Sequence, residues 1–324
     1  MAQVFKTLLN NDIATTRTLL HEAIPITGTI VSGTYNDSNI KNYSHGMFQS
    51  VYDYPVLSSS ANHIFDISYG YAKNTANPAN LQNDKKQNIY YQMAQVLVGY
   101  DEAGSIRRFD RDGDLTSPDK KFNKCVFVNY SRLLYKDEIK KGNFSLEISR
   151  SSGTPLILED HGAENDYRVN SPAGEYGILY TGSAAAPGTG QGLIYYQAGI
   201  AVINAQVTVF DDALSYTGSF SISGTADNVR KCWINNDFNN TTELNSTIYF
   251  CRAAHNEFNY STNPTYLSES QIRVKQETTD NPVSYVTTVG LYSADNELLA
   301  VAKLSEPLKK DPTNELTLRV RLDY

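Results

Sequence analysis

Ser284-Tyr285-Val286-Thr287-Thr288-Val289-Gly290-Leu291-Tyr292 is a β-branched and aromatic run; Ser293-Ala294-Asp295-Asn296 interrupts it, and Leu298-Leu299-Ala300-Val301-Ala302-Lys303-Leu304 follows as a second apolar run. Such side chains fit a pleated sheet and small polar residues supply the turn, so the stretch predicts a β-hairpin, expected in the core. Lys309-Lys310-Asp311-Pro312-Thr313-Asn314 then breaks the pattern. Beyond it Leu316, Leu318, Val320 and Leu322 alternate with Thr317, Arg319, Arg321 and Asp323, the period of a half-buried strand.

Working back towards the N-terminus, strand signals recur at 144–148, 176–180, 193–196, 199–209, 218–222 and 247–251, with turns at Gly142-Asn143, Ser152-Gly153, Pro172-Ala173-Gly174 and Gly188-Thr189-Gly190. Further strands are expected at 26–32 and 63–70, with an ordered polar excursion over 35–60. Helices are expected in three places. At 11–22, Ile13, Leu19 and Leu20 fall near one another and Pro25 is the stop; at 83–99, Ile89, Met93, Val96, Leu97 and Tyr100 mark one face between Asp84 and Gly99. A shorter helix is expected after Ser131, through Leu133, Leu134 and Ile139, with Lys140 and Lys141 near its C-terminal dipole and Gly142 ending it. The fold class is therefore mainly β (β-rich α+β): antiparallel, sandwich-like sheets with two or three short helices packed on them. Residues 1–150 read as a mixed helix and strand region and 151–324 as a β-rich region ending in the hairpin and strand. The boundary falls at 150–155 or in the polar 223–245 stretch, unless the chain is one unit.

A net charge of −7 argues against dedicated nucleic-acid binding, which calls for a basic face. Cys125, Cys232 and Cys251 are too few and too scattered for a disulfide framework. The start of the chain lacks the apolar core of a secretion signal, and no run approaches the ~18 apolar residues of a membrane span, so folding in a reducing cytoplasm and no membrane association are expected. The 23 tyrosines are unusual beside 12 phenylalanines and one tryptophan. Tyrosine suits wet contact surfaces and also fills sheet faces, and both uses fit this chain.

Asp110-Arg111-Asp112-Gly113-Asp114 is the most site-like cluster, because alternate carboxylates in a turn converge on a hard cation such as calcium. It departs from the EF-hand loop: glycine stands fourth and no Glu stands twelfth. Asp119 offers a further oxygen, whereas Arg107, Arg108 and Arg111 offer neutralising charge, and the adopted reading is a solvated turn with no metal. Residues 182–192 are glycine-rich without the Gly-Lys-Ser/Thr of a phosphate loop, so a hairpin loop is expected there. His21, His45, His63, His161 and His255 are dispersed, and no nucleophile elbow or His-Glu-x-x-His pair exists; Glu159-Asp160-His161 reads as an acidic surface loop. No catalytic residue, no cofactor and no enzymatic activity are expected.

Three pieces resemble virion structural proteins of contractile-tailed bacteriophages, particularly baseplate or neck components of marine and cyanobacterial myoviruses. They are the block Asn256-Glu257-Phe258-Asn259-Tyr260-Ser261-Thr262-Asn263-Pro264-Thr265-Tyr266, the Val289-Gly290-Leu291-Tyr292 hairpin with Leu299-Ala300-Val301-Ala302-Lys303, and Tyr135-Lys136-Asp137-Glu138-Ile139 followed by Gly142-Asn143. The resemblance implies a non-enzymatic, baseplate-wedge-type tail subunit. Its partners would be other virion tail proteins and symmetry-related copies of itself, and it would be made in the host bacterial cytoplasm and located in the virion tail. A neck, collar or fibre-attachment place is the alternative address. A different class of function, a receptor- or glycan-binding module, would use Tyr195, Tyr196 or Trp233 as stacking platforms beside Asn235, Asn236 and Asp237.

Overall fold

The computed structural model describes residues 5–25, 37–73, 82–115, 120–150, 153–182, 184–186, 188–205, 221–261, 267–268, 271–272, 279 and 281–324. Within these, the strands are β1 Ile13–Pro25, β2 Ile40–Asn42, β3 Gln49–Tyr52, β4 His63–Tyr71, β5 Lys124–Tyr130, β6 Glu138–Ile139, β7 Ser145–Ile148, β8 Leu156–Glu159, β9 Tyr176–Leu179, β10 Gly192–Tyr195 and β11 Ile200–Asn204. They continue with β12 Trp233–Ala253, β13 Leu267–Ser268, β14 Gln271–Ile272, β15 Ser284–Tyr292, β16 Leu298–Lys310 and β17 Leu316–Asp323. The helices are α1 Asn83–Leu97, α2 Arg132–Tyr135 and α3 Ile222–Cys232. The chain is thus mainly β, as its alternation and turn chemistry require. The strand expected at 26–32 lies outside the described residues, as do 206–209 of the strand expected at 199–209.

Two compact units form, Leu19–Thr242 and a second built from Met1–Thr18 with Glu243–Tyr324. Strands β1 and β12 contribute residues to both. The antiparallel pairing of β5 with β11 joins residues on either side of position 150, and the division after Thr242 falls in the polar 223–245 stretch.

In Leu19–Thr242, a seven-stranded sheet runs in the order β2-β3-β4-β5-β11-β10-β9, every neighbour antiparallel. Its centre, Cys125-Val126-Phe127-Val128, is buried on both faces. Register places Ser68 and Val202 beside Phe127, and Gly70 beside Cys125, on one face. That face receives α1: Phe127 and Phe109 pack around Tyr90, and a Cβ on Gly70 would lie 2.8 Å from the Lys86 carbonyl oxygen, so only glycine allows this approach. The opposite face carries Phe65 and Tyr130, which are register partners. Phe65 stacks on Trp233 at 5.2 Å, and Tyr130 meets Phe238 at 5.3 Å and Phe144 at 6.0 Å, so the second layer is the sheet in which β7 pairs with β8 and with the first residues of β12. The result is a sandwich whose filling is largely aromatic. Tyr69, Tyr90, Tyr176, Tyr195 and Tyr196 are all fully buried, so much of the tyrosine content of this unit fills its core.

The asparagine-rich start of β12 survives burial because its amides are bonded. Asn236 accepts from the Tyr130 hydroxyl at 2.8 Å and donates to the Ser145 carbonyl at 2.7 Å; Asn240 donates to the Leu134 carbonyl at 2.9 Å and accepts from the Glu22 N–H at 3.0 Å.

Four local expectations are corrected. The helix expected from Ser131 through Ile139 is the single turn α2, and Ile139 belongs to strand β6, paired with β12 opposite Asn240. Residues 13–25 form β1, an edge strand beside β12, instead of a helix: Thr15, Thr16 and Thr18 are β-branched, and Leu19 and Leu20 are exposed, so no buried helical face exists. The buried stripe of α1 is Ile89, Tyr90, Ala94 and Leu97, while Val96 and Tyr100 point to solvent; Gly99 ends the helix with φ +81°. Ile222 opens a helix, α3, where a strand ending at 222 was expected, and its stripe Ile222, Thr225, Ala226, Val229 and Arg230 has helical spacing. Ser221 caps it by accepting the Gly224 N–H at 3.0 Å.

In the second unit, residues 246–253 of β12 pair antiparallel with β17, from Ser246 opposite Asp323 to Ala253 opposite Leu316. Strands β15 and β16 pair only with each other, as a two-stranded ribbon. It is not a core hairpin, as was expected from its composition. Among the described residues of this unit, Val320 is the one hydrophobic side chain that is buried. Lys309 and Lys310 do not end the strand but belong to it, paired with Tyr285 and Ser284. All three cysteines are free thiols.

Candidate functional site

The acidic turn sits between Phe109 and Phe122, both fully buried, whose backbones are bonded at 2.9 Å. Arg111 N–H donates to the Lys120 carbonyl at 3.0 Å, closing the loop as a hairpin, and Gly113 turns it with φ +73°. Asn170 and Tyr176 both donate to the Gly113 carbonyl, at 2.9 and 3.2 Å. The solvated-turn reading fails at its first residue: Asp110 is 0% exposed, because the bridge to Lys121 carries it into the sheet layer. Nor do the arginines neutralise it. Lys121 lies 2.6 Å from Asp110 Oδ2, Lys120 lies 3.1 Å from Asp112 Oδ2, and Arg108 donates to Asn123 instead. One carboxylate oxygen from each of Asp110, Asp112 and Asp114 lies within 4.8 Å of the others. Asp119 is outside the described residues.

Several histidines and carboxylates elsewhere are paired for structure. His63 Nε2 and the Ser50 hydroxyl both meet Asp66 Oδ1, which puts the carboxylate between serine and histidine; a nucleophilic triad needs the imidazole in the middle. His255 pairs with Glu315 at 2.7 Å, and His21 lies 3.2 Å from the Thr241 hydroxyl. Asp160 belongs to no acidic surface loop. It is 2% exposed and gathers three donors, Gly142 N–H at 2.7 Å, Phe144 N–H at 2.9 Å and the Tyr196 hydroxyl at 2.9 Å. Burial outweighs these donors and pushes its carboxyl up to about 6. Burial, with Asp160 beside it, holds the Tyr196 phenol far above its usual range, so this hydroxyl remains a donor.

The aromatic platforms proposed for a glycan do not reach solvent. Trp233, Tyr195 and Tyr196 are all core residues, and the ring faces of Trp233 and Tyr195 meet Phe65 and Tyr176. The 182–192 loop does connect paired strands, β9 and β10, as expected of a hairpin.

The apolar surface lies on the ribbon instead. Cross-strand partners share a face, so Gly290 with Val301 and Tyr292 with Leu298 stand on one side, and Val289 with Ala302 and Leu291 with Ala300 on the other. Tyr285, Tyr292, Leu298, Leu299, Val301 and Leu308 are all exposed. The ribbon is fastened at its base: Lys310, fully buried, donates to Asn259 Oδ1 at 2.7 Å, the Asp311 carbonyl at 2.9 Å and the His255 carbonyl at 3.3 Å, while Ser284 donates to the Phe258 carbonyl. Lys310→Met keeps the stem and removes three donated bonds, so it is expected to cost about 2 kcal/mol. Hydrogen exchange should show the loss first in the amides of Ser284 and Val286, and unchanged protection there would mean that the ammonium does not hold the base.

No protein-family model, no curated protein and no solved structure matches this chain. The candidate sites therefore stand on geometry alone. Sequence reading singled out Asp110, Asp112 and Asp114, and the structure brings them together. It missed the Lys310 anchor, since Lys309 and Lys310 were read as part of the break between strands, and it missed that the ribbon is exposed. The composition of β15 and β16 is that of a core strand pair, and nothing local in it marks the ribbon as exposed.

Proposed function

We propose that this chain is a non-enzymatic structural subunit of a contractile phage tail, of the baseplate-wedge type, that works through protein–protein contacts. The observation that carries the reading is the unit built from Met1–Thr18 and Glu243–Tyr324, which buries a single hydrophobic side chain among its described residues while its ribbon exposes six large ones. Apolar burial is the main favourable term in folding and in association. A unit that keeps so little of it inside offers it to a partner, and tyrosine beside leucine and valine is the composition of an interface centre. The resemblance to myovirus virion proteins supplies the kind of assembly: other tail proteins and symmetry-related copies, in the tail of a virion assembled from parts made in the host cytoplasm. Neck, collar or fibre attachment is the alternative address.

Gold-labelled antibody against this chain, viewed on intact particles of the source virus, is expected to mark the distal tail. Label at the neck moves the address. Absence of label from intact and gently disrupted particles, with absence of the chain from particle mass spectra, overturns the reading. The ribbon is tested by the pair Leu298→Glu and Val301→Glu, expected to reduce incorporation into particles at least ten-fold while the isolated chain melts as before. Equal incorporation would place the contacts elsewhere.

A further inference from the structure

The turn at Asp110 is electrostatically incomplete. The Oδ2 oxygens are served: Asp110 Oδ2 accepts from Lys121 at 2.6 Å and from the Leu115 N–H at 3.0 Å, and Asp112 Oδ2 accepts from Lys120 at 3.1 Å. The Oδ1 oxygens are not. Asp110 Oδ1 and Asp112 Oδ1 are closed to solvent and accept no hydrogen bond, and Asp110 is wholly buried. A buried acceptor without a donor is costly, and two close carboxylates that both lack one repel each other. What relieves both terms at once is a positive charge between them.

The donor chemistry identifies the charge: a set made wholly of carboxylate oxygens suits a hard divalent cation such as calcium. One oxygen from each of the three aspartates falls within 4.8 Å of the others, close enough for one ion to meet all three. Gly113, held through its carbonyl by Asn170 and Tyr176, fixes the turn before any ion arrives.

We propose that Asp110, Asp112 and Asp114 together bind one divalent cation of the calcium class, with the unpartnered Oδ1 oxygens of Asp110 and Asp112 as its buried ligands. The site is not an EF-hand, since it lacks the twelfth-position glutamate, and the two lysines compete for the same carboxylates. Affinity in the weak range of about 10⁻⁴ M follows.

The test uses the full chain and terbium, an ion of calcium-like size whose emission a nearby phenol sensitises; Tyr176, bonded to the Gly113 carbonyl, is that phenol. We expect saturable emission that calcium chloride displaces, and a melting temperature that rises with calcium. Asp112→Asn and Asp114→Asn should each weaken calcium at least ten-fold. Asp114 is exposed, so its variant should retain the wild-type circular dichroism without calcium, which separates lost binding from lost folding. No saturable signal and no thermal shift up to ~10 mM calcium chloride, or both variants titrating as the wild type does, would overturn the proposal.

Discussion

Trp233→Ala is expected to remove about 4 kcal/mol from the stability of the Leu19–Thr242 unit, the range of large aromatic deletions in a closed core. The indole is 2% exposed and stacked on Phe65 at 5.2 Å with the rings 11° apart, so its loss opens a cavity between the two layers of the sandwich. Trp233 is the one tryptophan of the chain, so its fluorescence reports the wild-type transition and circular dichroism must report the variant. Trp233→Phe, which refills most of the space, should cost far less. An alanine variant that unfolds at the wild-type urea midpoint would mean that the layers do not meet there.

Asp160 gives the second large effect and a pH signature. Asp160→Ala leaves Gly142 N–H, Phe144 N–H and the Tyr196 hydroxyl without their acceptor and is expected to cost about 3 kcal/mol or more at pH 4. The carboxyl is raised from 3.8 to about 6 by burial. Between those values the folded chain holds a proton that the unfolded chain has released, so this group favours folding below about pH 4 and loses that contribution as pH rises through about 6. The difference in proton affinity between the folded and unfolded chain is worth about 3 kcal/mol. Asp160→Asn cannot ionise, so its stability deficit relative to wild type, largest at pH 4, should shrink by about that amount by pH 7. A deficit that stays constant over the window would show that the donors, not burial, set this carboxyl. Asp311, with its carboxylate bonded to Thr313 and lowered to about 2, acts in the opposite sense and only below about pH 4.

Strand content was legible where period two needs only the chain itself, as from Leu316 to Leu322, whereas the continuous apolar run Cys125 to Val128 at the centre of the large sheet was passed over because it does not alternate. Residues 13–25 were not, because Ile13, Leu19 and Leu20 fit helical spacing by accident, and pairing with β12 decided the outcome. Helix α3 was hidden by Gly224, Thr225, Asp227 and Asn228, weak helix formers whose cost is offset by the Ser221 cap and a buried face. The acidic turn was legible as a cluster. That Asp110 lies inside goes with the bridge to Lys121 and the backbone bond from Phe122 to Phe109, pairings between residues 11 and 13 positions apart that no local pattern announces. Trp233 and its asparagines looked like a binding platform for a related reason: a tryptophan beside polar residues has the same composition in a glycan cleft and at the seam of a sandwich.

The ribbon carries its own safeguard. Four residues of β16, Leu304 to Pro307, stand opposite Thr287 alone, between the pairs Val286 with Leu308 and Thr288 with Lys303. Proline there withholds a backbone donor, Glu306 and Lys303 bring charge, and the irregular count twists the edge out of line. A passing strand therefore meets gatekeepers and cannot zip along the backbone, so growth into fibres is suppressed even though the side chains are greasy. If the ribbon docks as proposed, recognition falls to its flat faces, where shape and not strand register would select the neighbour. Chains produced without that neighbour should associate reversibly as concentration rises, and dilution should separate them.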